Sequence, residues 1–119
     1  YGNYLTNDGY KIRTFLKNEV PHGTDFCVRL DGDSMEPDYP NGSTVYVKAA
    51  DAVDAGQIGI FMTDADGKAY CKKLIVDHHN RQTRLVSLNP EYEDIVITPD
   101  DDLRTVGRVL GVVREDKYK

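Results

Sequence analysis

Cysteine, tryptophan and long apolar runs are scarce in this sequence. It has no tryptophan, and its two cysteines, Cys27 and Cys71, belong to no C-x-x-C pair or other metal-ligand spacing. Two reduced, packed thiols are therefore expected rather than a disulfide, as in a cytoplasmic protein. No apolar run reaches the roughly 18 residues of a membrane-spanning helix, so no membrane association is expected.

Positive charge is also in short supply. The 119 residues include 15 lysines and arginines against 20 aspartates and glutamates, which gives a formal net charge of −5. Proteins hold a phosphate backbone mainly by neutralising its charge, so this chain by itself should bind DNA poorly. Its length suits one compact domain.

Turn formers and β-prone residues take the place of helical patterns. Ten glycines and five prolines separate short apolar stretches. Between Phe26 and Leu30 apolar residues alternate with Cys27 and Arg29, which predicts a half-buried strand. Further strands are predicted over residues 44–48, 57–62, 68–76, 83–88, 95–98 and 104–114. These segments predict a mostly β fold, a small twisted domain of about seven strands.

The beginning of the chain lacks such a pattern. Residues 1–20 show neither helical nor strand periodicity over a useful length. We therefore divide the chain into an N-terminal arm over residues 1–24 and a folded domain over residues 25–119. There is no internal repeat.

Ser34 is the first candidate for chemistry. It follows the predicted strand 25–30 in the turn Gly32-Asp33-Ser34-Met35, where a hydroxyl can project from the surface. The backbone N–H groups of Ser34 and Met35 could face a developing oxyanion there. A serine is nevertheless a weak nucleophile unless a neighbouring base takes its proton.

Lys72 is the candidate base. A lysine serves in that role only when burial brings its pKa towards neutrality. On the predicted strand 68–76, Lys72 shares a face with Tyr70 and Leu74, whereas Lys73 points to the opposite face. From these residues alone, a turn serine and a surface lysine without function remain the alternative.

A family resemblance links the two residues. Residues 26–37, with the sequence Phe-Cys-Val-Arg-Leu-Asp-Gly-Asp-Ser-Met-Glu-Pro, resemble the serine segment of the LexA, UmuD and lambda-type phage repressor family. The segment Tyr70-Cys71-Lys72-Lys73-Leu74 resembles the lysine segment of that family. Further ordered matches to the family lie at residues 41–47, 55–60, 88–90 and 106–109.

The resemblance implies a function and a set of partners. It implies that Ser34 is the nucleophile, that neutral Lys72 is its general base, and that the fold is the partly barrel-like peptidase fold. The implied protein is a self-cleaving transcriptional repressor of phage or mobile-element type that requires no cofactor. Its implied partners are a second copy of itself, RecA on single-stranded DNA, and operator DNA bound through an N-terminal helix-turn-helix domain absent here.

The bond to be cut is not found before Ser34. Members of the family cleave a small-residue bond, usually Ala-Gly or Cys-Gly, a few dozen residues before the serine, and neither pair occurs between Tyr1 and Ser34. We therefore expect the scissile bond at or before Tyr1. The pair Ala55-Gly56 lies between serine and lysine, in a segment that resembles a structural Gly-Gln turn of the family, and is expected to be structural.

Three alternatives remain at this point. Bacterial signal peptidases share the Ser-Met and strand-lysine arrangement, but they need a membrane anchor and a Gly-x-Pro-Gly-Asp segment after the lysine, where this chain continues with residues 75–81. The other two are a dimerisation module that no longer cleaves and a UmuD-like polymerase accessory subunit. Neither His78-His79 nor the acidic run over residues 100–102 has ligand spacing, so no metal is expected.

Overall fold

A computed structural model describes residues 2–5, 12–15, 20–64 and 67–113. These residues form one nine-stranded sheet. The strands are β1 (Gly2–Leu5), β2 (Ile12–Phe15), β3 (Phe26–Arg29), β4 (Thr44–Ala49), β5 (Ile58–Thr63), β6 (Ala69–Asp77), β7 (Gln82–Val86), β8 (Ile95–Ile97) and β9 (Leu103–Val112). A 3-10 turn over Pro99–Asp101 precedes β9. The mostly β fold predicted from the sequence is thus confirmed.

The sheet has the strand order β2-β1-β3-β4-β9-β5-β6-β7-β8. All neighbouring strands are antiparallel except β1 and β3, which run parallel. The sheet curls into a half-barrel, in agreement with the partly barrel-like expectation. No helix among the described residues has the length and hydropathy needed to span a membrane.

Two strands lie where none was expected. β1 and β2 fall within residues 1–20, so the expectation of an irregular segment was wrong for residues 2–5 and 12–15. Their sequences, Gly-Asn-Tyr-Leu and Ile-Arg-Thr-Phe, lack the regular alternation of apolar and polar residues that predicts β3. Pairing with each other and with β3 places them in the sheet. The division of the chain at residue 24 stays a prediction.

The core lies around β4, which is covered on both faces. Val45 and Val47 are fully buried and pack with Leu30 and Ile60 on one face. Tyr46 points the other way and packs against Cys27 and Val113. The described residues contain no disulfide: the thiol of Cys27 is buried and that of Cys71 is half-buried.

β9 pairs with both β4 and β5. At Gly107, the backbone of β9 lies close to β4. A Cβ at Gly107 would lie 2.5 Å from the carbonyl oxygen of Lys48 and 2.5 Å from Cγ1 of Val47. Backbone cannot yield as a flexible side chain does, so only glycine fits at this position. At Gly111, further along the same strand, an added Cβ would meet nothing within 4 Å.

We predict that Gly107→Ala lowers the free energy of unfolding by about 1–3 kcal/mol, because the methyl group overpacks the contact with β4. Gly111→Ala is the matched control and should change it by less than about 0.5 kcal/mol in the unfavourable direction. Urea denaturation followed by circular dichroism measures both. Equal stability of the two variants would contradict the close approach.

Candidate active site

Ser34 lies in a turn that begins where β3 ends. Gly32 has φ 102°, a left-handed conformation that favours glycine, and its N–H donates to Oδ1 of Asn41 at 2.8 Å. The side chain of Met35 is only 2% exposed, so it anchors the turn in the core. The hydroxyl of Ser34 is thereby held at the inner edge of the turn.

Lys72 lies in the middle of β6, between two other strands. On β5 its cross-strand partner is Gly59, which has no side chain. On the other side, β6 pairs Lys73 with Val86 of β7, so the next pair in this antiparallel register is Lys72 and Ser87. Lys72 is 7% exposed, as is Ser87.

The structure brings Ser34 and Lys72 together. Nζ of Lys72 lies 2.9 Å from Oγ of Ser34 and 2.7 Å from Oγ of Ser87. β3 and β6 are four steps apart in the sheet, which is roughly 19 Å at about 4.8 Å per step in a flat sheet. The curl of the sheet and the turn after β3 close this distance.

The surroundings of Lys72 disfavour its charged form. Burial lowers the pKa of Lys72 below its ordinary value. Among the described residues, no carboxylate lies within ion-pair distance of its amine. Burial also raises the pKa of the adjacent Cys71 to about 12, so this thiol is uncharged at neutral pH and does not stabilise an ammonium ion.

The segment after β7 holds the serine turn in place. The backbone N–H of Asn89 donates to the carbonyl oxygen of Ser34 at 2.9 Å, and its side-chain amide donates to the carbonyl oxygen of Asp33 at 3.1 Å. Tyr92 donates from its hydroxyl to the Asp33 carboxylate, and its ring centroid lies 5.7 Å from Nζ of Lys72. Ser34 and Lys72 are therefore fixed by one shared segment.

A cavity of about 400 Å³ opens beside the two side chains. Ser34 and Lys72 lie in its wall, and its apolar lining includes Leu30, Met35 and Ile60. Largely apolar concave surfaces with a few convergent polar groups are typical of ligand and substrate sites. The cavity can therefore receive an extended peptide segment next to the hydroxyl of Ser34.

The backbone around Ser34 leaves two donors open. Within the part of the chain that the structure describes, the N–H groups of Ser34 and Met35 donate to no acceptor. Free amides next to a serine hydroxyl can stabilise negative charge that develops on a carbonyl oxygen. This geometry accords with the oxyanion role predicted for them, which remains a prediction.

The other residues considered in the sequence lie away from this site. Gly56 donates its N–H to the carbonyl oxygen of Leu74 at 2.7 Å, so the pair Ala55-Gly56 belongs to a turn before β5. His78 and His79 are in an exposed turn. In the described ranges, no three histidine, cysteine or acidic side chains form a metal-binding group.

Sequence reasoning missed Ser87, Asn89 and Tyr92 as part of the site. Residues 88–90 resemble the family, but the resemblance did not assign them a role in the site. The contacts of these residues bridge 15, 56 and 59 positions in sequence, which no local pattern reports. The signal that was available is a polar residue, Ser87, between the apolar residues Val86 and Leu88.

The sequence of this chain is similar to those of known proteins. The Peptidase S24-like family model matches residues 3–110. The chain is 33% identical over 93 residues to LexA repressor 2 of Pseudomonas syringae pv. tomato, a match that covers 77% of this chain and 44% of that protein. It is 32% identical over 93 residues to the LexA repressor of Oleidesulfovibrio alaskensis (77% and 43%) and 33% identical over 96 residues to that of Syntrophotalea carbinolica (80% and 46%).

The chain therefore spans less than half the length of these curated relatives. The family match itself covers nearly all of the described sheet, from β1 through most of β9. It includes the serine turn, the lysine strand and the segment that joins them. This chain belongs to the Peptidase S24-like family and is of the type found in LexA repressors.

Proposed function

We propose that this chain is the self-cleavage and dimerisation domain of a transcriptional repressor, with Ser34 as nucleophile and Lys72 as general base. The observation that carries the proposal is the 2.9 Å hydrogen bond between Nζ of Lys72 and Oγ of Ser34. This contact lies at the wall of a cavity and is withdrawn from solvent on the lysine side. Membership in a peptidase family with LexA-type relatives supports the same chemistry.

The proposed reaction begins with the neutral amine of Lys72. As Oγ of Ser34 attacks the scissile carbonyl carbon, Nζ takes the hydroxyl proton, and the N–H groups of Ser34 and Met35 stabilise the oxyanion. When the C–N bond breaks, the ammonium of Lys72 gives its proton to the departing amine. Water, activated by Lys72 in the same way, then hydrolyses the serine ester.

The proposed substrate is a segment of the same protein. Two copies of this domain would hold two N-terminal helix-turn-helix domains on a palindromic operator in the cytoplasm. Linked half-site contacts bind far more tightly than separate ones, so cutting the linker would release the operator without changing a base contact. RecA on single-stranded DNA is the proposed trigger, which would favour the conformation that can be cleaved.

Two competing functions make different demands on the site. A dimerisation module without cleavage has no use for Lys72, and a buried lysine without an acidic partner costs stability. The site geometry therefore favours the peptidase over the module. A UmuD-like accessory subunit would keep the same cleavage chemistry and differ in what the released domain binds.

We predict that Ser34 reacts with a fluorophosphonate. Its Oγ should displace fluoride and form a stable phosphonyl ester, with the proton passing to Lys72. Ser34→Ala should abolish the mass increase, and Lys72→Ala should slow it more than about 100-fold, because no base remains. Intact-protein mass spectrometry followed by peptide mapping measures the rate and locates the adduct.

Matched variants control for folding and for general reactivity. Ser43 is half-buried, and its buried hydroxyl has no hydrogen-bond partner among the described residues. Lys73 lies on the opposite face of β6 from Lys72. Ser43→Ala and Lys73→Ala should label at the unaltered rate. Labelling that survives in Ser34→Ala would show that this serine is not the nucleophile.

We also predict that labelling of Ser34 accelerates with rising pH. Below the pKa of Lys72 the amine is protonated and cannot accept a proton, so the rate should fall about tenfold per pH unit. Because burial lowers this pKa, the half-maximal rate should come at a pH below 10.5, the ordinary lysine value. Lys72→Arg, which stays charged, should remove the rise.

The profile is obtained from labelling rates between pH 6 and pH 10, with circular dichroism at each pH to confirm that the fold is retained. A rate that does not change across this range would mean that Lys72 is not the base.

A further inference from the structure

Lys72 makes two hydrogen bonds, and the proposed reaction uses one of them. Its Nζ lies 2.9 Å from Oγ of Ser34 and 2.7 Å from Oγ of Ser87. A neutral amine has two N–H donors and one lone pair, and a general base must aim the lone pair at the proton that it removes. The shorter bond, to Ser87, is therefore available to set the orientation of the amine.

The sheet presents Ser87 to Lys72 by register. β6 and β7 pair Leu74 with Leu85 and Lys73 with Val86, so Ser87 lies opposite Lys72 with its side chain on the same face. Both side chains are 7% exposed, and Leu85 beside them is fully buried. An apolar side chain would suit this place in the core, which makes the hydroxyl of Ser87 unexpected without a role.

The hydroxyl of Ser87 has one hydrogen-bond partner among the described residues. Among the described residues, Oγ of Ser87 contacts only Nζ of Lys72. By contrast, the turn of Ser34 is held by Asn89, which donates to the carbonyl oxygens of Ser34 and Asp33. Ser87 thus restrains the amine on one side while the turn restrains the hydroxyl on the other.

We propose that Ser87 is a positioning residue for the general base: its Oγ accepts an N–H bond from Lys72, which turns the lone pair of Nζ towards Oγ of Ser34. This role rests on the proposed function. After Lys72 has taken the proton, the same oxygen accepts a bond from the ammonium. Among the described residues, Ser87 makes no hydrogen bond to Ser34, so it acts only through Lys72.

The role predicts two decreases for Ser87→Ala, one in the maximum labelling rate and one in the half-maximal pH. The maximum rate of fluorophosphonate labelling at high pH should fall roughly 10- to 100-fold, because the amine is no longer oriented. The half-maximal pH should move down, since a hydrogen bond that stabilises the charged form has been lost. Ser87→Thr, which keeps a hydroxyl, should restore both values towards those of the unaltered protein.

A second measurement separates this proposal from the peptidase assignment. The ¹³Cε resonance of Lys72, assigned with Lys72→Arg, reports its titration whether or not Ser34 reacts. Ser87→Ala should lower the midpoint of this titration, whereas Ser43→Ala should leave it in place. Failure of Ser34 to label in the unaltered protein, with the midpoint still shifted by Ser87→Ala, would overturn the peptidase and retain the contact between Ser87 and the amine.

Two results would overturn the positioning role. One is an unchanged titration midpoint in Ser87→Ala, which would show that the hydroxyl does not act on the amine. The other is an equal loss of labelling in Ser87→Ala and Ser87→Thr with an unchanged half-maximal pH, which would indicate packing alone. Dispersed amide spectra of each variant establish that it is folded.

Discussion

The burial of one amine is the constraint on which the rest of this site depends. Lys72 is withdrawn from water without a carboxylate among the described residues to pair with it. It has two hydroxyl groups instead, from Ser34 and Ser87. Hydroxyls satisfy a neutral amine well but compensate an ammonium ion poorly, so the fold stabilises the form of lysine that can accept a proton.

The sheet supplies that environment through backbone register. Lys72 has Gly59 opposite it on β5, and the space that a side chain would occupy there is taken by the ring of Phe61, whose Cζ would lie 2.8 Å from a Cβ on Gly59. On the other side of β6, Ser87 directly follows β7. β5 thus contributes an aromatic ring where a side chain opposite Lys72 would lie, and Ser87 gives the amine a polar contact.

The nucleophile comes from a different part of the sheet. Ser34 follows β3, four strands away from β6, and it reaches Lys72 because the sheet curls and because Asn89 and Tyr92 hold the turn from the other side. The same segment therefore connects the base strand to the nucleophile turn. A shift of this segment would move Ser34 and Ser87 together, on either side of the amine.

Much of this arrangement follows from the sequence, and the exceptions have a physical cause. The β-branched run of β4 predicts its strand, and the alternation over residues 70–74 assigns Lys72 and Lys73 to opposite faces. β1 and β2 were not predicted because they lack an amphipathic pattern; β2 is held by antiparallel pairing with β1, and β1 by parallel pairing with β3. The contacts of Ser87, Asn89 and Tyr92 depend on register across several strands, and a single sequence does not encode register in any short window.

The central claim is that burial lowers the pKa of Lys72 and so makes its neutral form available as a base. It is tested most directly by the absolute titration midpoint of the Lys72 ¹³Cε resonance in the unaltered protein. The account predicts a midpoint below the ordinary lysine value of 10.5, because burial disfavours the ammonium form. A midpoint for Lys72 at or above 10.5 would contradict it.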